Sequence, residues 1–224
     1  MSAARDRILG RIRAIHAGAD ELARRAAVEA RLREHRANLV PARARRPHSE
    51  LIELLADMLK QQGTDVTRLE RAGDVPGAVA RYLREHNLPA RLRMGSDAML
   101  ADLPWETAPA LERLTGKAEG DDAVALSRAW AGAAETGTLF LVSGADNPTT
   151  LNFLPDTHVA VLRVSDVVGS YEEGWDRIRA VYGEGALPRT VNLISGPSRT
   201  ADIEQTIIMG AHGPRRLHVI LVEE

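Results

Sequence analysis

Short apolar segments recur along the chain, and glycine-rich or polar turns separate them. The clearest lie at 64–69, 90–94, 124–130, 139–143, 159–164, 191–194 and 217–222. Apolar runs of this length between turn signals are typical of buried strands. About six of them predict the strands of a sheet.

Helical periodicity fills several intervals between these segments. Apolar residues three and four positions apart predict helices over 48–62 and 75–86, and another from Ser165 or Asp166 to about Tyr182. Strands that alternate with helices indicate a mostly parallel sheet with both faces covered. We therefore predict an α/β fold.

The amino-terminal part has a different character. Helical spacing predicts one or two helices over 3–39, interrupted near Gly18, and an arginine-rich linker between prolines follows. We divide the chain into a basic helical arm with its linker, 1–46, and a single α/β domain, 47–224. Because no aromatic residue is interleaved for base stacking, we favour helices that pack on their own domain or on a second subunit. Docking to an acidic partner or to nucleic acid is the less favoured alternative.

One stretch combines a strand with a hydroxyl-rich turn. The strand at 191–194 runs into the turn 195–200, a helix-compatible segment follows, and Gly210 precedes the strand at 217–222. This order predicts a βαβ unit. In open α/β sheets, ligands bind at the carboxyl ends of the strands, so we expect the turn to lie there.

The turn carries groups suited to an anion. Backbone N–H groups at a helix start lack internal partners, and the helix dipole favours negative charge there. The candidate contacts are Ser195, Gly196, Ser198, Arg199 and Thr200. An arginine can bind a carboxylate or phosphate in a bidentate manner. Alternatively, Ser198 or Thr200 caps the helix and Arg199 pairs with a surface carboxylate.

A second candidate lies in the turn before the strand at 139–143. Glu135 stands among small residues, where desolvation can raise a carboxyl pKa and make the group an acid, a base or a nucleophile. Alternatively, it accepts backbone hydrogen bonds and holds the turn. Thr136, Gly137 and Thr138 are candidate ligand contacts beside it.

Histidines provide one further candidate. His212 lies in a glycine-rich loop and could serve as a general acid or base. His218 alternates with apolar residues, which favours a hydrogen-bonded structural role. The seven histidines show no metal-ligand spacing. We therefore predict no metal site.

Composition and charge exclude some classes of protein and some kinds of cofactor site. The chain has 224 residues, 44% of them hydrophobic, enough for one sizeable core, and its net charge of −2 gives no push toward nucleic acid or membrane. No apolar run has the length of a membrane span and the amino terminus has no signal-peptide core, so we expect a cytoplasmic protein. The absence of cysteine excludes iron–sulfur ligation by this chain's own thiolates.

Several motifs together resemble the LUD-domain family, in particular its lactate utilization C type. They are Ala-Glu-Thr-Gly-Thr at 134–138, Leu-Pro-Asp-Thr-His at 154–158, Ser-Gly-Pro-Ser-Arg-Thr-Ala-Asp-Ile-Glu at 195–204 and Gly-x-His-Gly-Pro at 210–214. The resemblance implies a three-layer fold like that of NagB, RpiA and the CoA transferases. It also implies a part in a three-component system that oxidises L-lactate to pyruvate.

For this chain, the resemblance implies a non-redox accessory subunit. No flavin or nicotinamide fingerprint is present, so no cofactor is expected on this chain. Because the chain has no cysteine, iron–sulfur clusters are expected only in partner lactate-utilization subunits. A small carboxylate or phosphate would bind at the turn 195–200, with Glu135 opposite, and a homo-oligomer is compatible with the sequence. The alternatives are a stand-alone isomerase or CoA-transferase-like enzyme using Glu135, and a regulatory protein that senses an anion.

Overall fold

A computed structural model describes residues 3–16, 20–183, 185–201, 207–210 and 212–223. Contacts divide the chain into two compact units, Met1–Asn38 and Leu39–Glu224. The functional division into 1–46 and 47–224 remains a prediction. Within the second unit, Ala44 is buried, and its carbonyl lies so close to Gly169 that any side chain there would clash.

The described residues form six α-helices and twelve strands. The helices are α1 (Ala3–His16), α2 (Glu21–Glu34), α3 (His48–Gln61), α4 (Val75–Glu85), α5 (Ala98–Ala101) and α6 (Tyr171–Tyr182). The strands are β1 (Asp65–Leu69), β2 (Arg91–Met94), β3 (Glu112–Thr115), β4 (Val124–Arg128), β5 (Ala131–Ala133), β6 (Thr138–Val142), β7 (Thr157–Arg163), β8 (Val167–Val168), β9 (Val191–Ile194), β10 (Arg199–Ala201), β11 (Ile207–Met209) and β12 (Arg216–Val222). None of these helices is long and apolar enough to cross a membrane.

The first unit contains α1 and α2, as predicted. Asp20 begins α2, and its carboxylate accepts hydrogen bonds from the N–H groups of Leu22 at 3.0 Å and Ala23 at 3.2 Å. These bonds satisfy donors that the first helical turn cannot pair internally. Large apolar side chains of this unit, such as Ile15 and Leu22, are exposed.

A six-stranded parallel sheet is the centre of the second unit. Its strand order is β1-β12-β7-β4-β2-β3. Alternate residues of the central strands face opposite sides: Ile220 of β12 packs in the cluster with α4, whereas Val219 and Leu221 pack in the cluster with α3. This period of two buries both faces. The predicted α/β class and parallel sheet are confirmed.

A second, four-stranded sheet lies beyond the α3 face of the first. Its order is β8-β5-β6-β9. In β6, Leu139 and Leu141 belong to the core shared with the large sheet, whereas Phe140 and Val142 pack with Ile178 of α6. Both faces of β6 are therefore buried, which explains its continuous apolar sequence.

The predicted βαβ unit at 191–222 is wrong in two respects. First, β9 pairs antiparallel with β6 in the second sheet and is not a parallel neighbour of β12. Second, the residues directly after Ser198 are extended: Arg199–Ala201 form β10, which pairs with β11 as an antiparallel hairpin. Thr200, Ile207 and Ile208 are β-branched and favour strands over helices. Residues 202–206, within the predicted helix, lie outside the described residues.

The third predicted helix begins later than expected. Ser170 caps α6, and its hydroxyl accepts a hydrogen bond from the N–H of Glu173 at 3.3 Å. Residues 164–166 instead form a turn of 3₁₀-helix, and β8 pairs with β5. Two successive valines and Gly169 favour an extended segment over a helical turn at this place.

Candidate functional site

The candidate site is a cavity of about 270 Å³ in the second unit. Three segments line it, 152–158, 193–199 and 212–217. The lining residues are Asn152, Phe153, His158, Leu193, Ile194, Ser195, Gly196, Pro197, Ser198, Arg199, His212, Gly213, Pro214 and Leu217. None of these described lining residues is acidic, and Arg199 and His212 are exposed at the cavity.

The turn 195–199 packs on the carboxyl end of α3. The Arg199 guanidinium donates a hydrogen bond of 2.5 Å to the carbonyl of Gln62, which a helix terminus leaves unpaired. Gly196 has φ +95°, and a Cβ there would lie 2.9 Å from the Cβ of Gln62. A Cβ on Gly63, with φ +82°, would clash with the guanidinium. Glycine at both positions therefore lets the turn and the helix end approach closely.

The loop carrying His212 is joined to the same turn through the backbone. The N–H of Ser198 donates to the carbonyl of Pro214 at 2.8 Å, and the N–H of Gly210 donates to the carbonyl of Ser198 at 3.0 Å. These two bonds place His212 and Ser198 on one cavity. The structure thus brings His212, a separate candidate in the sequence analysis, to the same cavity as Ser195, Gly196, Ser198 and Arg199. Their roles in binding remain predictions.

The cavity lies at the amino ends of the parallel strands. Gln62 and Gly63 lie three and two residues before β1, His158 is the second residue of β7, and Leu217 is the second residue of β12. The expected position at the carboxyl ends is therefore wrong. Because β9 belongs to the second sheet, where it pairs antiparallel with β6, the turn that follows it lies at the amino ends of the parallel strands instead of their carboxyl ends.

The residues predicted opposite this turn do not line the cavity. Glu135 is 8% exposed, and its carboxylate accepts a 2.8 Å hydrogen bond from the N–H of Tyr171 in the first turn of α6. Gly137 packs against the backbone of α3 at Leu59. The catalytic role assigned to Glu135 remains a prediction, and the bond it makes is the one that the alternative interpretation expected.

The threonines of the same turn connect to the cavity indirectly. The hydroxyl of Thr138 lies 2.5 Å from that of Ser195, 2.7 Å from that of Tyr171 and 2.8 Å from that of Thr136. Thr138 therefore lies behind Ser195 and fixes its orientation. Thr200 has its backbone in β10, and its side chain lies outside the described part of the chain.

Two polar side chains of the cavity lining, and one behind them, were not among the sequence candidates. His158 and Asn152 line the cavity, and Ser127 of β4 lies 2.6 Å from Nε2 of His158 through its Oγ. Burial lowers the pKa of His158 to about 4. The available signal was a buried polar residue in each of two mostly apolar strands, Ser127 in β4 and His158 in β7.

The fold and the site together define an α/β protein with a covered parallel sheet and a small, non-acidic cavity at its amino edge. The LUD domain matches residues 48–222, and the chain belongs to the LUD-domain family. The resemblance inferred from the motifs is thereby confirmed.

Relatives named lactate utilization protein C are similar over most of the chain. The protein from Deinococcus radiodurans is 34% identical over 191 residues, 81% of this chain and 84% of the relative. That from Halalkalibacterium halodurans is 37% identical over 187 residues, 78% of this chain and 80% of the relative. In Bacillus subtilis, a protein of the same name is 37% identical over 92 residues, 41% of this chain and 38% of the relative.

A solved structure has a similar fold. The crystal structure of a DUF162 family protein from Deinococcus radiodurans is 24% identical, with a TM-score of 0.59 over 79% of this chain and 99% of that one. At this identity the likeness concerns the fold alone.

Proposed function

We propose that this chain is a non-redox component of a system that oxidises L-lactate to pyruvate, and that its cavity binds a small carboxylate. Membership of the LUD-domain family and the two relatives aligned over most of their length support the lactate utilization part. The chain has no cysteine, so any iron–sulfur clusters of such a system would be ligated by partner subunits.

The lining of the cavity supports the proposal that it binds a small carboxylate, and this proposal depends on that single observation. Arg199 and His212 supply a cation and an imidazole, Ser198 supplies a hydroxyl, and none of the described lining residues is acidic. The hydrogen bond of Arg199 to Gln62 uses one of the five N–H donors of a guanidinium, so others remain for a ligand. A small carboxylate paired with such groups avoids the cost of an unpaired anion.

An acyl-transfer enzyme using Glu135 is less well supported. Such chemistry needs the carboxylate beside the substrate, with an oxygen free to attack. Glu135 is absent from the described cavity lining, and one of its oxygens already accepts the N–H of Tyr171. This placement favours a binding role for the cavity.

Calorimetric titration with L-lactate tests the binding part. We expect saturable binding by the wild type and a loss of about 1.5 kcal/mol, roughly tenfold in Kd, for Arg199→Ala, because a charge-assisted hydrogen bond is removed. Arg215→Ala is the matched control, since Arg215 is an exposed arginine that pairs with Asp156 at 3.4 Å outside the cavity lining. Equal affinities of the two variants would refute an anion contact by Arg199.

Addition of the purified protein to cell extract tests whether this chain takes part in lactate oxidation. Extract from cells lacking only this chain should lose lactate-dependent dye reduction, and purified wild type should restore it. Arg199→Ala should restore less than Arg215→Ala at limiting lactate. Normal dye reduction without the chain would exclude a direct part in lactate oxidation.

A further inference from the structure

A second cavity of the α/β unit lies beside the carboxyl end of β3. Its volume is about 630 Å³, against about 270 Å³ for the carboxylate cavity, and the two share no lining residue. Gly116 and Lys117 directly follow β3, a parallel strand, and ligands of open α/β sheets bind outside the carboxyl ends of the strands. The lining residues are Gly116, Lys117, Ser143, Gly144, Ala145, Pro148, Thr149, Thr150, Arg189 and Thr190.

Hydrogen bonds join three separate segments around this cavity. The N–H of Ala118 donates to Oγ1 of Thr150 at 3.0 Å. The N–H of Thr190 donates to Oγ of Ser143 at 2.9 Å, and the N–H of Ser143 donates to the carbonyl of Thr190 at 3.0 Å. These bonds fix the loop after β3, the segment after β6 and the residues before β9 relative to one another.

Lys117 is exposed and has no ion-pair partner in the described part of the chain. The loop that follows it carries three carboxylates, and each of them pairs with an arginine of β2. The pairs are Asp122 with Arg93 at 2.8 Å, Glu119 with Arg93 at 3.8 Å and Asp121 with Arg91 at 3.5 Å. The acidic side chains of its own loop are therefore already paired, and the Lys117 ammonium remains for a ligand.

Arg189 is the second exposed cation of the lining, and it too makes no ion pair with a described residue. The lining described above contains no acidic side chain. Asp146 is the nearest acidic residue along the chain, with Oδ1 beside Gly144, and it lies outside the lining. The two cations thus outnumber the adjacent carboxylate, which favours an anion in this cavity.

Hydroxyl groups accompany the two cations. The side-chain oxygens of Ser143 and Thr150 each accept a backbone N–H, so the proton of each hydroxyl remains for another acceptor, and no described residue accepts it. A hydroxyl that already accepts one hydrogen bond donates a stronger one. Thr149 and Thr190 add two further hydroxyls to the lining.

A phosphomonoester matches this lining in charge and in number of acceptors. Its head group carries a charge of about −1.5 to −2 at pH 7 and three acceptor oxygens, whereas a carboxylate carries one charge and two oxygens. Two cations suit the phosphate dianion, and the hydroxyls suit its remaining acceptor positions. The volume lies within the range of small-molecule sites, about 300–1,000 Å³. An organic body attached to the phosphate therefore has room beside Ala145 and Pro148.

We propose that this cavity binds a small phosphomonoester, with Lys117 and Arg189 as the charged contacts of its phosphate. The site shares no residue with the carboxylate cavity, so it does not depend on the proposed function. The chain then has two anion sites of different chemistry, one for a small carboxylate and one for a phosphorylated ligand.

The experiment is calorimetric titration with glycerol phosphate, inorganic phosphate and hydroxyethanesulfonate at one ionic strength. The sulfonate head also has three oxygens but carries a single negative charge. The proteins are wild type, Lys117→Ala, Arg189→Ala, Lys60→Ala and Arg199→Ala. Lys60, the other lysine of the chain, is exposed at the end of α3 and lies outside the lining, so its substitution removes the same charge elsewhere.

We expect saturable binding of glycerol phosphate by the wild type. Lys117→Ala and Arg189→Ala should each weaken it roughly tenfold, because each removes a charge-assisted hydrogen bond. Lys60→Ala and Arg199→Ala should match the wild type. The sulfonate should bind more weakly because it has one charge, and inorganic phosphate should bind more weakly because it has no organic body.

Four outcomes would overturn the inference. They are a wild type that binds no glycerol phosphate, wild-type affinity in both Lys117→Ala and Arg189→Ala, equal affinities for glycerol phosphate and the sulfonate, and tighter binding of inorganic phosphate than of the ester. A loss in Arg199→Ala without one in Lys117→Ala would place the phosphate in the carboxylate cavity, which also contradicts it. L-Lactate affinity should be unchanged in Lys117→Ala, so a failure of lactate binding and a failure of phosphate binding are distinguishable.

Discussion

His158 and His218 form two nearly equivalent local structures on adjacent strands. β7 and β12 pair in parallel, with His218 opposite Val159. Each histidine bonds a hydroxyl through Nε2, from Ser127 in one case and Thr67 in the other. Burial lowers the pKa of both histidines to about 4.

They differ in what covers the rest of the ring. His158 lines the cavity, whereas His218 stacks on Tyr82 with ring centroids 4.0 Å apart. Tyr82 in turn donates to Asp65 at 3.0 Å, and both effects, burial and this carboxylate, raise the pKa of Tyr82. Burial and a perturbed pKa thus do not by themselves distinguish a ligand site from a structural one. What distinguishes the two is the space beside the ring, which is a cavity at His158 and the ring of Tyr82 at His218.

The largest predicted effect is one that the two histidines share. Each has a pKa of about 4 in the folded chain and 6.5 as its ordinary value. Between those pH values the unfolded chain binds more protons, so the free energy of unfolding falls as the pH is lowered from about 6.5 to 4. The expected loss is on the order of 3 kcal/mol for each histidine. Urea unfolding at pH 7.5 and pH 4.5 measures it.

Glutamine variants identify the source of this pH dependence. His158→Gln and His218→Gln should each remove about half of the difference between the two pH values, and the double variant should remove most of it. A double variant with the full wild-type difference would show that other groups carry the acid sensitivity. If one single variant removed much more of the pH-dependent difference in unfolding free energy than the other, the two sites would not be equivalent.

The elements that sequence patterns predicted well are those whose signals are local. α3 and α4 have long apolar stripes, and β7 and β12 are apolar runs between turns, so periodicity alone located them. β5 and β8 have three and two residues, too few for a period, and they exist because β6 and α6 pack beside them. The hairpin of β10 and β11 pairs Arg199 with Met209, and such a pairing between separate segments leaves no periodic signal in either strand.

The site divides in the same way. Ser195 to Arg199 and His212 lie in short motifs whose glycines and hydroxyls signal a binding turn. His158 and Ser127 are separate polar residues in two apolar strands, and only the pairing of β4 with β7 brings them together. Glu135 had a strong local signal, yet its carboxylate accepts a hydrogen bond from the first turn of α6 and lies outside the described cavity lining.

A smaller effect distinguishes the two hydroxyl partners. Ser127→Ala and Thr67→Ala each remove the hydrogen bond to Nε2, and each should lower the free energy of unfolding by about 1 kcal/mol. Only Ser127→Ala should also weaken L-lactate binding, several-fold, because Ser127 orients the ring of His158, which lines the cavity, whereas His218 lies outside the described lining. Ring ¹⁵N shifts report the tautomer of each histidine directly. Unchanged His158 shifts and unchanged lactate affinity in Ser127→Ala would mean that Ser127 has no positioning role.

The smallest predicted effect concerns a buried group outside both histidine sites. Glu135→Gln keeps an oxygen that can accept the N–H of Tyr171 but removes a negative charge near the start of α6. A charge at this place stabilises a helix by about 0.5 kcal/mol, so urea unfolding should detect a loss of that order, with L-lactate affinity unchanged. Glu135→Ala also leaves the Tyr171 N–H unpaired and should cost about 1–2 kcal/mol. A Glu135→Gln variant of wild-type stability that no longer binds lactate or restores dye reduction would instead return Glu135 to the functional site. The functional site would then extend beyond the cavity that His158 lines and would include Glu135.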